Sequence, residues 1–262
     1  MRKFWNFKAK DENRAELTLY GEISEVTWWG DEVTPKDFKR DLDKLGNVEE
    51  IAIYINSPGG DVFAGETIYN MLNRHPARKI VHIDGLAASI ASIIAMVGDE
   101  IIMPENAMLM IHEAWTITSG NKNEIRSMAD TLERIDENLI GIYTARTGKT
   151  HDEIEAMMKA ETWITAAEAV EMGFADRVEE NKKIAASVNG KMLIMGGVTV
   201  DMTRYAHAPE IRPCNGAKQQ PVEEIQPKET GAITNDALTE QREMFNRVRE
   251  KIITTYEKEN AK

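Results

Sequence analysis

A single cysteine, Cys214, stands in 262 residues, so the chain makes no internal disulfide and no cysteine-rich metal site, and a reducing compartment is the simplest setting. Long apolar runs are missing too. Hydrophobic content is 42%, nothing approaches the ~18 uninterrupted apolar residues of a membrane span, and Met1-Arg2-Lys3-Phe4-Trp5-Asn6 lacks the apolar core of a signal peptide. These absences predict a cytoplasmic protein without a membrane partner. Clustered basic charge is also lacking. Up to residue 180 there are 33 acidic and 19 basic residues, near −14, while residues 181–262 carry 11 and 13, near +2. A body this acidic excludes nucleic acid as the natural partner, because phosphate binding needs grouped Lys and Arg. No internal repeat is present.

What is present is an alternation of strand and helix patterns. Residues 15–27 alternate enough for a strand ending near Gly21, followed by an irregular stretch through Trp28-Trp29-Gly30. Thr34 reads as an N-cap, Pro35 suits a first helical position, and Phe38, Leu42 and Leu45 share one face. Ile51–Ile55 lacks polar alternation, as expected of a strand covered on both faces, and ends at Asn56-Ser57-Pro58-Gly59-Gly60-Asp61. A helix is expected from about Val62 to Asn73, a buried strand at Ile80–Ile83, an apolar helix after Ser89, and short strands near Glu100–Met103 and Met108–Ile111. Such alternation implies an α/β layer fold.

A long helix follows over about 123–146. Its apolar residues Ile125, Met128, Leu132, Ile135, Leu139 and Ile142 step by three and four, a heptad-like seam that suits either the chain's own core or a helix of another subunit. A shorter helix from Thr150 or His151 leads to Thr165-Ala166-Ala167-Glu168, a capping box.

After Val178 the texture changes. Lys191–Met195 and Val198–Met202 flank Gly196-Gly197 and read as a hairpin. Residues 208–234 are rich in Pro, Glu, Gln, Gly and Lys and read as a linker, and residues 235–262 as an amphipathic helix suited to docking on the body or, as the favoured reading, on a partner. The expected organisation is therefore a domain over 1–180, a short β-rich extension over 181–207, the linker, and the helical tail.

Three places carry chemistry. Ser89 sits at a strand-to-helix turn, where its own amide and that of Ile90 point out of a helix N-terminus toward a developing oxyanion. Gly59 and Gly60 end a buried strand, where a backbone amide can approach a substrate closely. His112 ends an apolar strand and is a natural general base. Each residue alone also fits ordinary packing, turn or core roles.

Taken in order, Tyr54-Ile55-Asn56-Ser57-Pro58-Gly59-Gly60, Gly85-Leu86-Ala87-Ala88-Ser89 and Met110-Ile111-His112 resemble the oxyanion-loop, nucleophile and histidine motifs of the ClpP serine peptidases. The resemblance runs from about Leu17 to Val178. It implies the crotonase-like spiral of ββα units with residues 123–146 as a handle helix through which homo-oligomeric rings meet. It also implies Ser89 as nucleophile, His112 as general base, the amides of Gly60 and Ile90 as oxyanion hole, Gly59, Gly60 and Asp61 as substrate-binding residues, polypeptide substrates, and no metal or other cofactor. The third triad position departs from the family: it falls on Glu161, two residues before Trp163, where the family has aspartate. Glutamate serves in Ser-His-Glu triads on other folds.

Further departures are Glu113-Ala114-Trp115 in place of the usual proline after the histidine motif, no counterpart of the axial loop that meets an ATP-driven unfoldase, and the tail. They resemble the ClpP-like head-maturation proteases of tailed phages and prophages. That subtype implies an ATP-independent endopeptidase that cuts scaffold or capsid proteins, in the host cytoplasm or inside procapsids. The alternatives are a housekeeping ClpP working with an unfoldase, an acyl-CoA hydratase or isomerase on the same fold, and an inactive capsid-assembly protein.

Overall fold

A computed structural model describes residues 3–24, 35–180, 186–189, 192–195 and 198–209. The Trp28–Gly30 stretch, the Thr34 cap, nearly all of the linker and the whole of the terminal helix expected above lie outside the described residues. Residues 1–213 make one compact unit.

The architecture is mixed α/β, as expected. Strands β1 (Trp5–Ala9) and β2 (Arg14–Tyr20) form an antiparallel pair. Then come α1 (Pro35–Asp43), β3 (Glu50–Ser57), α2 (Val62–Arg74), β4 (Arg78–Ala88), α3 (Ile90–Ala95), β5 (Glu100–Pro104) and β6 (Met108–Ile111). The long helix α4 (Lys122–Thr147) is followed by α5 (His151–Lys159), β7 (Thr162–Thr165), α6 (Ala166–Glu171) and β8 (Arg177–Glu179). The main sheet runs β1-β2-β3-β4-β5-β8, parallel from β2 onward, with β6 branching from β4 and pairing antiparallel with β7.

Capping explains most helix limits. Asp61 caps α2 by accepting from the Ala64 amide, Asn121 with Glu124 and Thr150 with Glu153 make capping boxes, and Gly148 closes α4 in the left-handed conformation. The Thr165–Glu168 box opens α6 as its spacing predicts.

Three elements of the main domain differ from expectation. Ile51, Ile53 and Ile55 of β3 are fully buried, but Ala52 and Tyr54 on the other face are only partly covered, with Tyr54 stacked on His82 at 4.9 Å. The strand is rich in β-branched residues, and that composition hides a one-sided pattern. β4 runs on to Ala88, well past Ile83. Its first half pairs with β3 and β5, and its second half leaves β5 for β6, joining Leu86–Ala88 to Met108–Met110. A register shift between Ile55 and Ser57 marks the bend, and Asn56 stitches it: its Oδ1 accepts from the Leu86 amide at 3.2 Å. Finally, the helix after Ser89 is only six residues long and buried all round, so its apolar run reflects depth in the core, not length.

The seam of α4 divides along its length. Leu139, Ile140 and Tyr143 are buried in the domain's core, whereas the turns from Lys122 to Leu132 contact little, and Ile125 is 47% exposed. Beyond β8, the expected hairpin is a three-stranded meander of β9 (Ala186–Asn189), β10 (Met192–Met195) and β11 (Val198–Asp201), closed by a 3-10 turn at Met202–Arg204. Leu193, Met195 and Val200 form a second small core with Leu86, Ala88 and Met110. Within the compact unit, then, the extension packs on the strands that lead to Ser89.

Candidate active site

The branch of β4 onto β6 decides the geometry. Pairing Ala88 with Met110 brings the residue after β4 beside the end of β6, and the Ser89 amide donates to the Met110 carbonyl at 2.9 Å. Chain neighbours separated by 23 residues thereby meet: His112 Nε2 lies 2.8 Å from Ser89 Oγ. Ser89 holds φ 55° and ψ −132°, a conformation that non-glycine residues adopt at a cost of about 1–3 kcal/mol and that places the side chain at the apex of a tight strand-to-helix turn. Burial pulls the His112 imidazole below its ordinary pKa, and the charge of Glu161 opposes that only in part. At neutral pH the ring is therefore unprotonated, the state needed to accept a proton from a hydroxyl.

Below Ser89 lies a buried hydroxyl relay. Ser92 Oγ donates to the Ser89 carbonyl at 2.6 Å, so the Tyr143 hydroxyl, 2.7 Å away, donates to Ser92. Ser92 and Tyr143 are buried, and the relay ties α4 to the turn that carries Ser89.

The Gly59-Gly60 loop presses against the same turn. A Cβ on Gly59 would stand 2.7 Å from both the Ala88 carbonyl oxygen and Ser89 Cβ, and one on Gly60 would stand 1.9 Å from the Ile23 carbonyl oxygen. Their φ angles, +92° and +146°, are ones L side chains rarely adopt, so two independent constraints demand glycine here. Ile23 donates to the Gly59 carbonyl at 2.8 Å and accepts from the Asp61 amide at 2.7 Å, and Gly60 bridges Ile23 between them. Among the described residues, neither the Gly60 nor the Ile90 amide has a backbone acceptor, and both residues line the cleft over Ser89. Asp61 also lines the cleft while capping α2.

The third expected residue is brought to the site by register. The antiparallel pairing of Ile111 with Thr162 places Glu161 opposite His112. Glu161 has φ 49° and turns its carboxylate into contacts that the sequence did not foretell: Oε1 accepts from the His207 amide at 2.7 Å and the Trp163 indole at 3.3 Å, and Oε2 accepts from the Ala206 amide at 2.8 Å. Among the described residues no hydrogen bond joins Glu161 to His112, so their interaction is through space. Burial raises the carboxyl's pKa, but the His207 and Ala206 amides, Trp163 and His112 outweigh it, and the net direction is downward.

The cleft has a volume of about 680 Å³. Ser89, His112 and Gly60 form its floor, and exposed apolar side chains, Phe63, Trp115 and Ile117, crowd its mouth. Large exposed apolar groups beside a nucleophile suit an extended apolar substrate or a neighbouring subunit. No group of His, Cys, Asp or Glu among the described residues is arranged to hold a metal ion.

With that geometry in place, comparisons with known proteins decide the family. The family model described as Clp protease matches residues 41–182. The chain is similar to ATP-dependent Clp protease proteolytic subunit 1 of Leifsonia xyli subsp. xyli, with 30% identity over 174 residues, 63% of this chain and 88% of that one. It is also similar to the ATP-dependent Clp protease proteolytic subunit of Porphyromonas gingivalis, 31% identical over 146 residues, 54% of this chain and 65% of the relative. Proteolytic subunit 2 of Tropheryma whipplei is 34% identical over 134 residues, covering 50% and 73% respectively. The chain belongs to the Clp protease family.

Beyond the C-terminal limit of the part matched to the Clp protease family, Arg204 and Tyr205 also line the cleft. Sequence reasoning missed them because they sit in a stretch with no periodicity and no chemical motif, and only folding carries them to the site. The Ser92–Tyr143 relay escaped for another reason: Ser92 reads as one small residue among several in the run after Ser89, and Tyr143 lies off the heptad-like seam of its helix.

Proposed function

We propose that this Clp protease family member is a serine endopeptidase in which Ser89 attacks a peptide carbonyl, His112 takes and returns the proton, and Glu161 supports His112. The Ser89–His112 contact at 2.8 Å is the observation that carries the reading. In the first half-reaction the Ser89 oxygen bonds to the carbonyl carbon as His112 accepts its proton, and the tetrahedral oxyanion faces the amides of Gly60 and Ile90. Collapse expels the amine, protonated by His112, and leaves an acyl-enzyme. Water, deprotonated by His112, then reverses the sequence and frees Ser89. Gly59, Gly60 and Asp61 would bound the substrate's path. The serine-histidine pair favours this over hydratase or isomerase chemistry, which has no use for it.

The finer reading is that the chain acts without ATP on scaffold or capsid proteins during head maturation of a tailed phage, in the host cytoplasm, as a homo-oligomer joined through the helix at Lys122–Thr147. Its support is the segment beyond the family match and the Glu113-Ala114-Trp115 sequence after His112. A second reading, a peptidase working with an ATP-driven unfoldase, draws support from the names of the relatives.

Co-expression with candidate scaffold and capsid proteins tests both levels. Specific cleavage products with the parent and none with Ser89→Ala are expected. Equal cleavage by Ser89→Ala sinks the enzymatic assignment, and cleavage of folded substrate only when an unfoldase and ATP are supplied favours the second reading.

A further inference from the structure

The extension is tied to the site at four separate points. Asn56 Nδ2 donates to the Met195 carbonyl at 2.8 Å, Arg204 pairs with Glu22 at 3.1 Å, the Tyr205 hydroxyl donates to the Pro58 carbonyl at 3.0 Å, and the Ala206 and His207 amides hold Glu161. Two of these act on residues next to the reacting groups. Pro58 precedes the Gly59-Gly60 loop, so the hydroxyl of Tyr205 fixes the loop that would face the oxyanion. Its ring also meets Trp163 edge-on at 5.1 Å and closes over His112 at 6.5 Å.

We propose that Tyr205 and the backbone amides of Ala206 and His207 form a positioning element of the active site, supplied from outside the family-matched region, that fixes the oxyanion loop and holds Glu161 facing His112. This rests on the serine-peptidase reading above. The physical need is clear from Glu161 itself. One methylene longer than aspartate, it has an extra torsion to fix, and its φ of 49° is not self-supporting. Two amides converging on the two oxygens remove that freedom and keep the group ionised, where it stabilises the imidazolium that forms as Ser89 attacks. A chain lacking residues 204–207 would leave Glu161 only the 3.3 Å hydrogen bond from the Trp163 indole.

The test uses the full chain, a fluorophosphonate probe that labels an activated serine, and steady-state cleavage of a fluorogenic peptide. Tyr205→Phe keeps the ring in its apolar cluster and removes only the bond to Pro58. It should lower kcat about threefold to tenfold, with KM within about twofold of the parent, because loop placement matters most in the transition state. Ala206→Pro deletes one amide donor. Tyr205, at φ −115° and ψ 134°, already has the backbone that a following proline favours. Labelling should slow about tenfold or more, the worth of one hydrogen bond to a charged group. Ala206→Gly, which keeps the N–H, should label at least about fivefold faster than Ala206→Pro.

If Tyr205→Phe and Ala206→Pro melt like the parent and match its labelling rate and kcat, the proposal is overturned while the serine-peptidase reading stands. If the folded parent itself is not labelled at Ser89, that reading fails and takes the proposal with it.

Discussion

Replacing Gly60 by alanine tests the proposed oxyanion loop while leaving Ser89 and His112, the proposed nucleophile and base, unchanged. The new Cβ would lie 1.9 Å from the Ile23 carbonyl oxygen, 2.8 Å from its carbon and 2.9 Å from its nitrogen, all backbone atoms that cannot rotate away. Relief requires the loop to retreat by about 1 Å or more, to reach an ordinary carbon–oxygen contact of roughly 3.2 Å. That retreat breaks the bridge to Ile23, whose flanking hydrogen bonds measure 2.8 Å and 2.7 Å. A displacement of about 1 Å costs on the order of 10²-fold in rate, and loss of one oxyanion donor about 10²–10³-fold, so kcat should fall by about two to three orders of magnitude. Strain at φ +146° adds a stability loss of about 1–3 kcal/mol. Gly148→Ala separates the two effects. There φ is +71° but nothing lies within 4 Å, so it should lower the melting temperature by a few degrees through about 1 kcal/mol of strain and leave kcat near the parent's. Peptide hydrolysis at saturating substrate and calorimetry on both variants are the assays. A folded Gly60→Ala enzyme with kcat within about threefold of the parent would refute the assignment of this amide to the oxyanion hole.

Other expectations are independent of that one. Activity should rise with pH along an acid limb whose midpoint lies below ~6.5, since burial holds the His112 pKa down and only the neutral ring accepts a proton; a midpoint at or above that value contradicts the burial. The same shift makes the fold lose stability as pH drops from about 6.5 toward the lower folded-state value, because the unfolded chain takes up the proton first. Ser92→Ala strands the buried Tyr143 hydroxyl and should cost about 1–3 kcal/mol in urea unfolding, with Tyr143→Phe in the same background restoring part of it; an unchanged midpoint would show that the relay contributes nothing. Ile125→Asp, on the exposed half of α4, should change the intrinsic unfolding free energy of the dissociated subunit by less than about 0.5 kcal/mol while reducing the mass seen by light scattering; an undisturbed oligomer would argue against a subunit contact through that half of the helix.

Much of this protein was legible before folding was considered. Patterns local to the chain set the elements: the Thr165 capping box, the Gly148 stop and the six-residue apolar seam of α4 were read directly, and the Asn121 and Thr150 capping boxes, which the sequence reading did not single out, likewise depend on residues three apart. Ser89, His112 and the adjacent glycines, each ambiguous alone, stood out because three motifs fall in the order of a known family. What local pattern does not contain is partner choice. β4 leaves β5 for β6 where its register with β3 shifts between Ile55 and Ser57, and no period in Arg78–Ala88 announces the change. The 2.8 Å contact between Ser89 and His112 is the product of that branching. Glu161 shows the division most clearly. Its place opposite His112 follows from the pairing of β6 with β7, to which the sequence pointed only through the family resemblance, and its hydrogen-bond partners come from residues 206 and 207, some 45 positions later. Backbone amides carry no signature in the sequence, so only the tertiary path of the chain decided which of them the carboxylate would meet.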